Sequence, residues 1–197
     1  ARLILRFHDV SQGRILFRGQ DIRSLPQKGL RKEISYVPQK AWLFSGTIKE
    51  NLAQGKETAG EEEMFHALKT AQADFVKNLP QGLETKVAQG GTNFSGGQKQ
   101  RLCIARALMK KTGLYVFDDS FSALDFKTDK ALREALKEET KEAAVLIIAQ
   151  RISTILHASQ IVVLDEGRIA DVGDHEYLME HCSVYRDIAR SQMKGEE

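Results

Sequence analysis

Two stretches of the chain hold residue types that could do chemistry on a phosphate. In the first, Leu114-Tyr-Val-Phe117 is followed by Asp118 and Asp119. Four apolar residues ending in two adjacent carboxylates describe a strand with like charges at its end, which is costly unless a cation or hydrogen-bond donors compensate. Mg²⁺ held through one carboxylate, water and phosphate oxygens is a standard solution. Asp118 is the candidate ligand, and a strand closed by an Asp-containing turn is the alternative. In the second stretch, Asn93-Phe-Ser-Gly-Gly-Gln-Lys-Gln-Arg101, Ser95 stands three residues before Gln98, the spacing of a capping box. A helix starting there turns unpaired amides outward, Gly96 and Gly97 allow close backbone approach, and the positive dipole end favours an anion. The pattern fits a phosphate-binding helix start as well as an ordinary capped helix.

The elements that must position these residues follow from periodicity. Arg14 to Arg18 alternates like a strand, Leu25 to Lys32 suits a short helix, and Ile34 to Val37 is a short strand. Thr47 to Ala53 and Glu61 to Ala71 have helical spacing, the second with a stripe of Met64, Leu68 and Ala71. A Gly- and Gln-rich connection fills Asp74 to Thr92. Beyond it come helix Ser95 to Lys110, strand Leu114 to Phe117, helix Lys127 to Thr140 and strand Ala143 to Ile148. Such alternation, with near-continuous apolar strands, argues for an α/β fold with a parallel sheet covered on both faces. Ile161 to Leu164 and Arg168 to Ala170 form a hairpin pattern, and Asp174 to Gln192 reads as one closing helix. Ligands of such sheets bind beyond the carboxyl ends of the strands, which places the chemistry just after Phe117 and just after Ile148.

Composition narrows the field. With 29 basic and 27 acidic residues the net charge is +2, so nothing mandates nucleic acid as a partner. Lys99, Arg101, Arg106, Lys110 and Lys111 read as a solvated helix face. Cys103 and Cys182 are too few for a disulfide framework and suit buried helix positions. The five histidines lack zinc-site spacing. The longest apolar run, Ala143 to Ala149, is far short of the ~20 residues that span a bilayer.

With these residues in place, the chain resembles the ATP-binding modules of ABC transporters. Ser95-Gly-Gly-Gln98 looks like their signature motif, Leu114 to Asp119 like the Walker B strand, and Ser122-Ala-Leu-Asp125 like the D-loop. Gln39, after Tyr36-Val-Pro38, resembles the Q-loop glutamine, and Gln150 stands where the family has its switch histidine. Phe44 to Leu52 is similar to the Q-loop neighbourhood of exporters. The resemblance implies a P-loop NTPase-like fold, a mostly parallel sheet flanked by helices with an inserted helical signature subdomain. It divides the chain into 1–38 as the rest of a first core segment, 39–110 as Q-loop and signature subdomain, and 111–197 as core. It also implies ATP and Mg²⁺ as cofactors, with Asp118 and Gln39 at the metal, and a transmembrane domain as partner on the cytoplasmic face of a membrane. Trp42, Leu43 and Phe44 suit either docking to that domain or packing within the subdomain.

The departures from the family pattern are as informative. The only Gly-Lys, Gly55-Lys56, lacks the context of a phosphate loop, and Ala1 to Phe7 reads as the last turns of the helix that would follow one. The sequence is therefore expected to be truncated, and inactive as it stands. Asp119 replaces the glutamate expected after Asp118, and Gln150 cannot become cationic or shuttle a proton. A third departure is Gln89, where exporters often have a glutamate. Paired changes at Asp119 and Gln150 resemble one half of a heterodimeric exporter. There, Ser95, Gly96, Gly97 and Gln98 serve the unlike partner's site while Asp119 and Gln150 line a degenerate one. A tolerant homodimer, a soluble ABC ATPase and a non-catalytic scaffold are the alternatives.

Overall fold

The structure, a computed structural model, describes residues 1–193. Its contacts divide the chain into two compact units, Ala1–Ile148 and a second beginning at Ala149.

The first unit opens with helical turns rather than a helix: Ile4 N–H reaches Ala1 O and Phe7 N–H reaches Arg2 O, with Arg6 at φ 50° ending the run. Strands β1 (Leu16–Phe17) and β2 (Gln20–Asp21) form a small antiparallel ribbon, much shorter than the alternation from Arg14 to Arg18 suggests. Arg18 at φ 49° and Gly19 at φ 79° make its tight turn. Helix α1 (Gln27–Lys32) leads into β3 (Ile34–Val37). The short β4 (Gly46–Thr47) then enters α2 (Ile48–Ala53) through a complete capping box of Thr47 and Glu50. Helix α3 (Glu61–Thr70) buries Met64, Ala67 and Leu68, and Ala71 just beyond it is fully buried. The Gly- and Gln-rich connection contains 3-10 turns and β5 (Lys86–Val87), which pairs antiparallel with β4. Next come α4 (Gly96–Leu108), β6 (Leu114–Asp118), α5 (Phe126–Glu139) and β7 (Ala144–Ile148).

The central sheet is parallel, in the order β3-β6-β7. Side chains alternate across it with period two. Ile34 and Val116 face a cluster with Leu5, Ile22 and Leu30, onto which Tyr36 and Leu114 pack. Val37, Tyr115 and Phe117 face a larger core shared with α2, α3, α4 and α5. The helical region expected at 39–110 therefore has no core of its own. The expectation of full coverage fails at β7, where Val145, Leu146 and Ile148 are 36–42% exposed. β3, the sheet's other edge, is buried at Ile34, Ser35 and Val37, so this exposure reflects uncovered faces of β7 rather than edge position as such.

The reading of one solvated basic face along α4 is corrected too. Arg101 donates to Gly97 O and Gln72 O, Arg106 to Trp42 O, and Lys110 to Ile34 O and Arg31 O. Long stems lie along apolar surface while their heads satisfy carbonyls left over at element ends.

In the second unit, α6 (Ile152–Ile155) is followed by the antiparallel hairpin of β8 (Ile161–Asp165) and β9 (Arg168–Gly173), turned at Glu166 and Gly167. The single closing helix of the sequence reading is two, α7 (His175–His181) and α8 (Ser183–Met193). Cys182 is extended between them, and its buried Sγ accepts the Tyr185 N–H at 3.5 Å. Leu178, Cys182 and Tyr185 all point into one cluster, so the apolar spacing continues through the break and hides it. Among the described residues no helix is long and apolar enough to cross a membrane.

Gly55 has a packing role. A Cβ there would stand 2.3 Å from Arg106 O and 2.8 Å from Met109 Cβ, whereas one on Gly60 would meet nothing within 4 Å. Gly55→Ala is expected to lower unfolding free energy by about 1–3 kcal/mol through overpacking against α4. Gly60→Ala, at the N-cap of α3 where Ala caps less well than Gly but meets no neighbour, should cost less than Gly55→Ala, as checked by urea denaturation of both variants.

Candidate functional site

The sheet's carboxyl end gathers residues that are far apart in sequence. Parallel pairing sets Tyr36 beside Val116 and Val37 beside Phe117, so the segments that continue past both strands leave the sheet together. Tyr36 lies on the same face as Asp118 and donates its phenol proton to Asp118 Oδ2 at 3.0 Å. Gln39 donates from Nε2 to Asp119 Oδ2, also at 3.0 Å. Buried Ser120 donates to Val37 O and stitches the two exits together.

Asp119 sits at φ 47°, in the left-handed region, which Asp tolerates better than most side chains. Its N–H donates to Ile148 O at 2.8 Å and its carbonyl accepts from Ser122 Oγ at 3.0 Å. Backbone and carboxylate are both held, so the direction of the acid is set by the turn rather than by rotamer choice. Asp118 presents its second oxygen differently. Oδ1 has no hydrogen bond among the described residues and is not a buried orphan, so it is open to an outside ligand.

Burial, then the Asp118 hydrogen bond and charge, push the Tyr36 phenol up to about 12, against a weak opposing effect of Arg2. It is a neutral donor throughout the physiological range.

The second group forms at the start of α4. Ser95 accepts the Gln98 N–H while Gln98 Oε1 accepts the Ser95 N–H, so both arms of the capping box are made. Gly96 and Gly97 differ. A Cβ on Gly97 would come 3.3 Å from Ala123 O and 3.8 Å from Leu124 Cδ2, so the helix start abuts the segment between Ser122 and Asp125. A Cβ on Gly96 would meet nothing within 4 Å. Nothing inside the chain requires glycine at 96, and that surface is free for a ligand or partner to approach.

Asp125 caps α5, accepting from Thr128 N–H at 2.9 Å and Thr128 Oγ1 at 2.7 Å; these bonds hold its carboxyl below the usual range, with Arg101 adding a smaller effect. Arg101 is tied to the carbonyls of Gly97 and Gln72 and stacks over Phe75 at 5.0 Å. Gln150 belongs to the second unit, where its carbonyl accepts from Gln192 Nε2 at 2.6 Å while Gln192 Oε1 takes the Ile152 N–H. Trp42 and Phe44 are exposed at 45% and 52%, with Leu43 fully buried between them. The run both packs and presents a surface.

Sequence reasoning missed Tyr36, Arg101 and Gln192. The tyrosine had one available signal, a phenol three residues before Gln39, and the second hydroxyl of the same strand, Ser35, made it no stronger.

The donor set fits a hard cation carrying phosphate. Among the described residues no three His, Cys, Asp or Glu side chains cluster as a self-contained metal site. An open carboxylate oxygen at Asp118 suits Mg²⁺, which is usually held by one or two carboxylates and completed by phosphate and water.

Residues 1–122 match the ABC transporter family, and the chain belongs to it. An uncharacterized ABC transporter ATP-binding protein of Mycobacterium tuberculosis is 45% identical over 194 residues, covering 96% of this chain and 33% of that protein. A Bacillus subtilis protein named for multidrug export with ATP-binding and permease parts, YgaD, is 42% identical over 187 residues, 94% of this chain and 32% of its own length. A bacterial Atm1-family ABC exporter, solved with ATP bound, superposes with a TM-score of 0.94 at 40% identity, covering 98% of this chain and 34% of that one. The chain thus spans about a third of the relatives it matches. It is a module of the ABC transporter family, similar over nearly all of its length to proteins named as exporters.

Because the folded-state phenol of Tyr36 titrates above its ordinary value, its contribution to stability is fully present below about pH 10 and is lost as pH rises toward about 12. Ultraviolet titration of the tyrosines should lose one late-ionising group in Tyr36→Phe. That variant should also keep more of its neutral-pH stability at pH 11 than the parent.

Proposed function

We propose that this chain couples ATP binding and hydrolysis to export across a membrane, as one of two unlike modules in a heterodimeric transporter. Its Ser95, Gly96, Gly97 and Gln98 serve the ATP site built on the partner's phosphate loop. Its own Asp118, Asp119 and Gln39 line a second site that hydrolyses poorly, with Ser122 and Asp125 in the D-loop between modules, and Gln150 is the altered switch position. The functional subdivision follows residues 1–38, 39–110 and 111–197, with the middle segment meeting a transmembrane domain on the cytoplasmic face.

The observation that carries this reading is an asymmetry within one chain: a complete signature beside altered hydrolytic positions. The signature keeps both capping arms and leaves Gly96 without an internal neighbour, as a surface for a phosphate bound elsewhere requires. At the hydrolytic position Asp119 is one methylene shorter than the expected glutamate, and its carboxylate is engaged by Gln39. A displacement of ~1 Å at a reacting centre costs ~10²-fold. Bound Mg²⁺ would supply charge neutralisation of the phosphates. Asp118 would hold it and Gln39 would move from Asp119 toward it, while glutamine at 150 can hydrogen-bond but cannot shuttle a proton. Trp42 and Phe44, exposed with Arg106 over the Phe44 ring at 5.3 Å, suit the transmembrane contact.

Gly96→Asp is the cleanest probe, because its Cβ meets nothing within 4 Å in this chain while its carboxylate sets a negative charge against a phosphate. In the assembled transporter it is expected to reduce steady-state ATP hydrolysis by roughly 10²-fold or more, the cost of losing one positioned electrostatic contact at a transition state. The equivalent change in the partner should leave substantial turnover. Equal loss from both would indicate a symmetric assembly, and a larger loss from the partner's variant would reverse the assignment of sites.

A further inference from the structure

Tyr36 and Asp118 stand 82 positions apart and meet only because β3 and β6 pair in parallel. The phenol is held from several sides. Phe7 packs edge-on against the Tyr36 ring at 6.3 Å, the ring lies on the cluster of Leu5, Ile22, Leu30, Ile34 and Val116, and its hydroxyl reaches Asp118 Oδ2. We propose that Tyr36 is a positioning residue for the metal carboxylate: by engaging Oδ2 of Asp118 it orients the group so that Oδ1 is the atom presented to a divalent cation bound with nucleotide. This rests on the reading of Asp118 as the metal residue of an ATP site.

A phenol can donate only one proton, and here it goes to one named oxygen, so the carboxylate loses its two-fold equivalence. Rotation of Asp118 about its terminal torsion, otherwise broad, is restrained by that bond. A carboxylate limited to one free oxygen favours a small cation with strict octahedral demands over a larger one that accepts bidentate ligands, so Mg²⁺ and Mn²⁺ gain relative to Ca²⁺. Hydrogen bonds to ligating carboxylates are worth roughly 10- to 100-fold in metal affinity. Oδ1 is free of protein hydrogen bonds among the described residues, as this division of labour requires.

The test uses the full-length, assembled transporter, Mn²⁺ as the probe and a non-hydrolysable ATP analogue, with bound Mn²⁺ read by electron paramagnetic resonance. Asp118→Asn defines which Mn²⁺ belongs to this site. Tyr36→Phe keeps the ring against Phe7 and removes only the oxygen. It should raise the Mn²⁺ dissociation constant at that site roughly 10-fold and make Ca²⁺ a better competitor. Tyr36→Leu removes the ring as well, and should be less stable but no worse than Tyr36→Phe for metal. If Asp118→Asn loses the site while Tyr36→Phe binds and selects metals like the parent, Tyr36 has no positioning role and the ATP-site reading stands. A metal defect confined to Tyr36→Leu would assign the effect to packing and overturn the proposal. Unchanged Mn²⁺ binding in Asp118→Asn would remove the reading on which it depends.

Discussion

Parallel pairing of β3 with β6 sets the geometry of the candidate site in the first unit. The register that puts Val37 opposite Phe117 also brings the exits of both strands to one end of the sheet. Pro38 and Gln39 then leave beside Asp118 and Asp119, and Ser120 bonds back to Val37 O to fix the spacing. Slipping such a pairing by one residue would send every side chain to the opposite face. Tyr36 would then turn from Asp118 into the core occupied by Val37 and Phe117. The burial of Val37, Val116 and Phe117, each at 1% exposure or less, opposes that slip. Hydrophobic patterning on both faces thus serves a polar arrangement at the sheet's end.

Helix α4 connects this end of the sheet to the helical region. It begins at the Ser95–Gln98 cap, passes through the main core at Leu102, Ile104 and Ala105, and runs on toward β6. Its first turn rests on Ala123 through Gly97, and Arg101 bonds the carbonyls of that turn and of the residue beyond α3. The D-loop segment begins where Ser122 bonds Asp119 and ends where Asp125 caps α5. The Ser95–Gln98 cap and the Asp119 carboxylate are therefore ends of one short packed path, although in the proposed assembly they serve different ATP sites. A mechanical link between two sites would need such a path.

Much of this was legible in the sequence wherever the signal is local. The strand Ile34–Val37, the cap at Ser95, the stripe of α3 and the acids ending β6 all follow from neighbours a few residues apart. Long-range features were not legible. Tyr36 reads as one more strand residue until register places it near Asp118, and Arg101 and Lys110 read as solvated until the carbonyls they bind are located. Cys182 keeps the apolar spacing of α7 and α8 while its backbone leaves the helix, so periodicity could not reveal the break. The exposure of β7 depends on which elements pack on its faces, which apolar composition does not encode.

The central claim is that this chain's signature completes an ATP site belonging to another module. An experimental structure of the assembled transporter with a non-hydrolysable ATP analogue addresses it most directly. The account predicts that Ser95 Oγ and the amides of Gly96 and Gly97 lie within hydrogen-bonding distance, about 3 Å, of a terminal phosphate whose phosphate loop comes from the other, unlike module. A terminal phosphate held at Ser95 by this chain's own phosphate loop, or none at either interface, would contradict it.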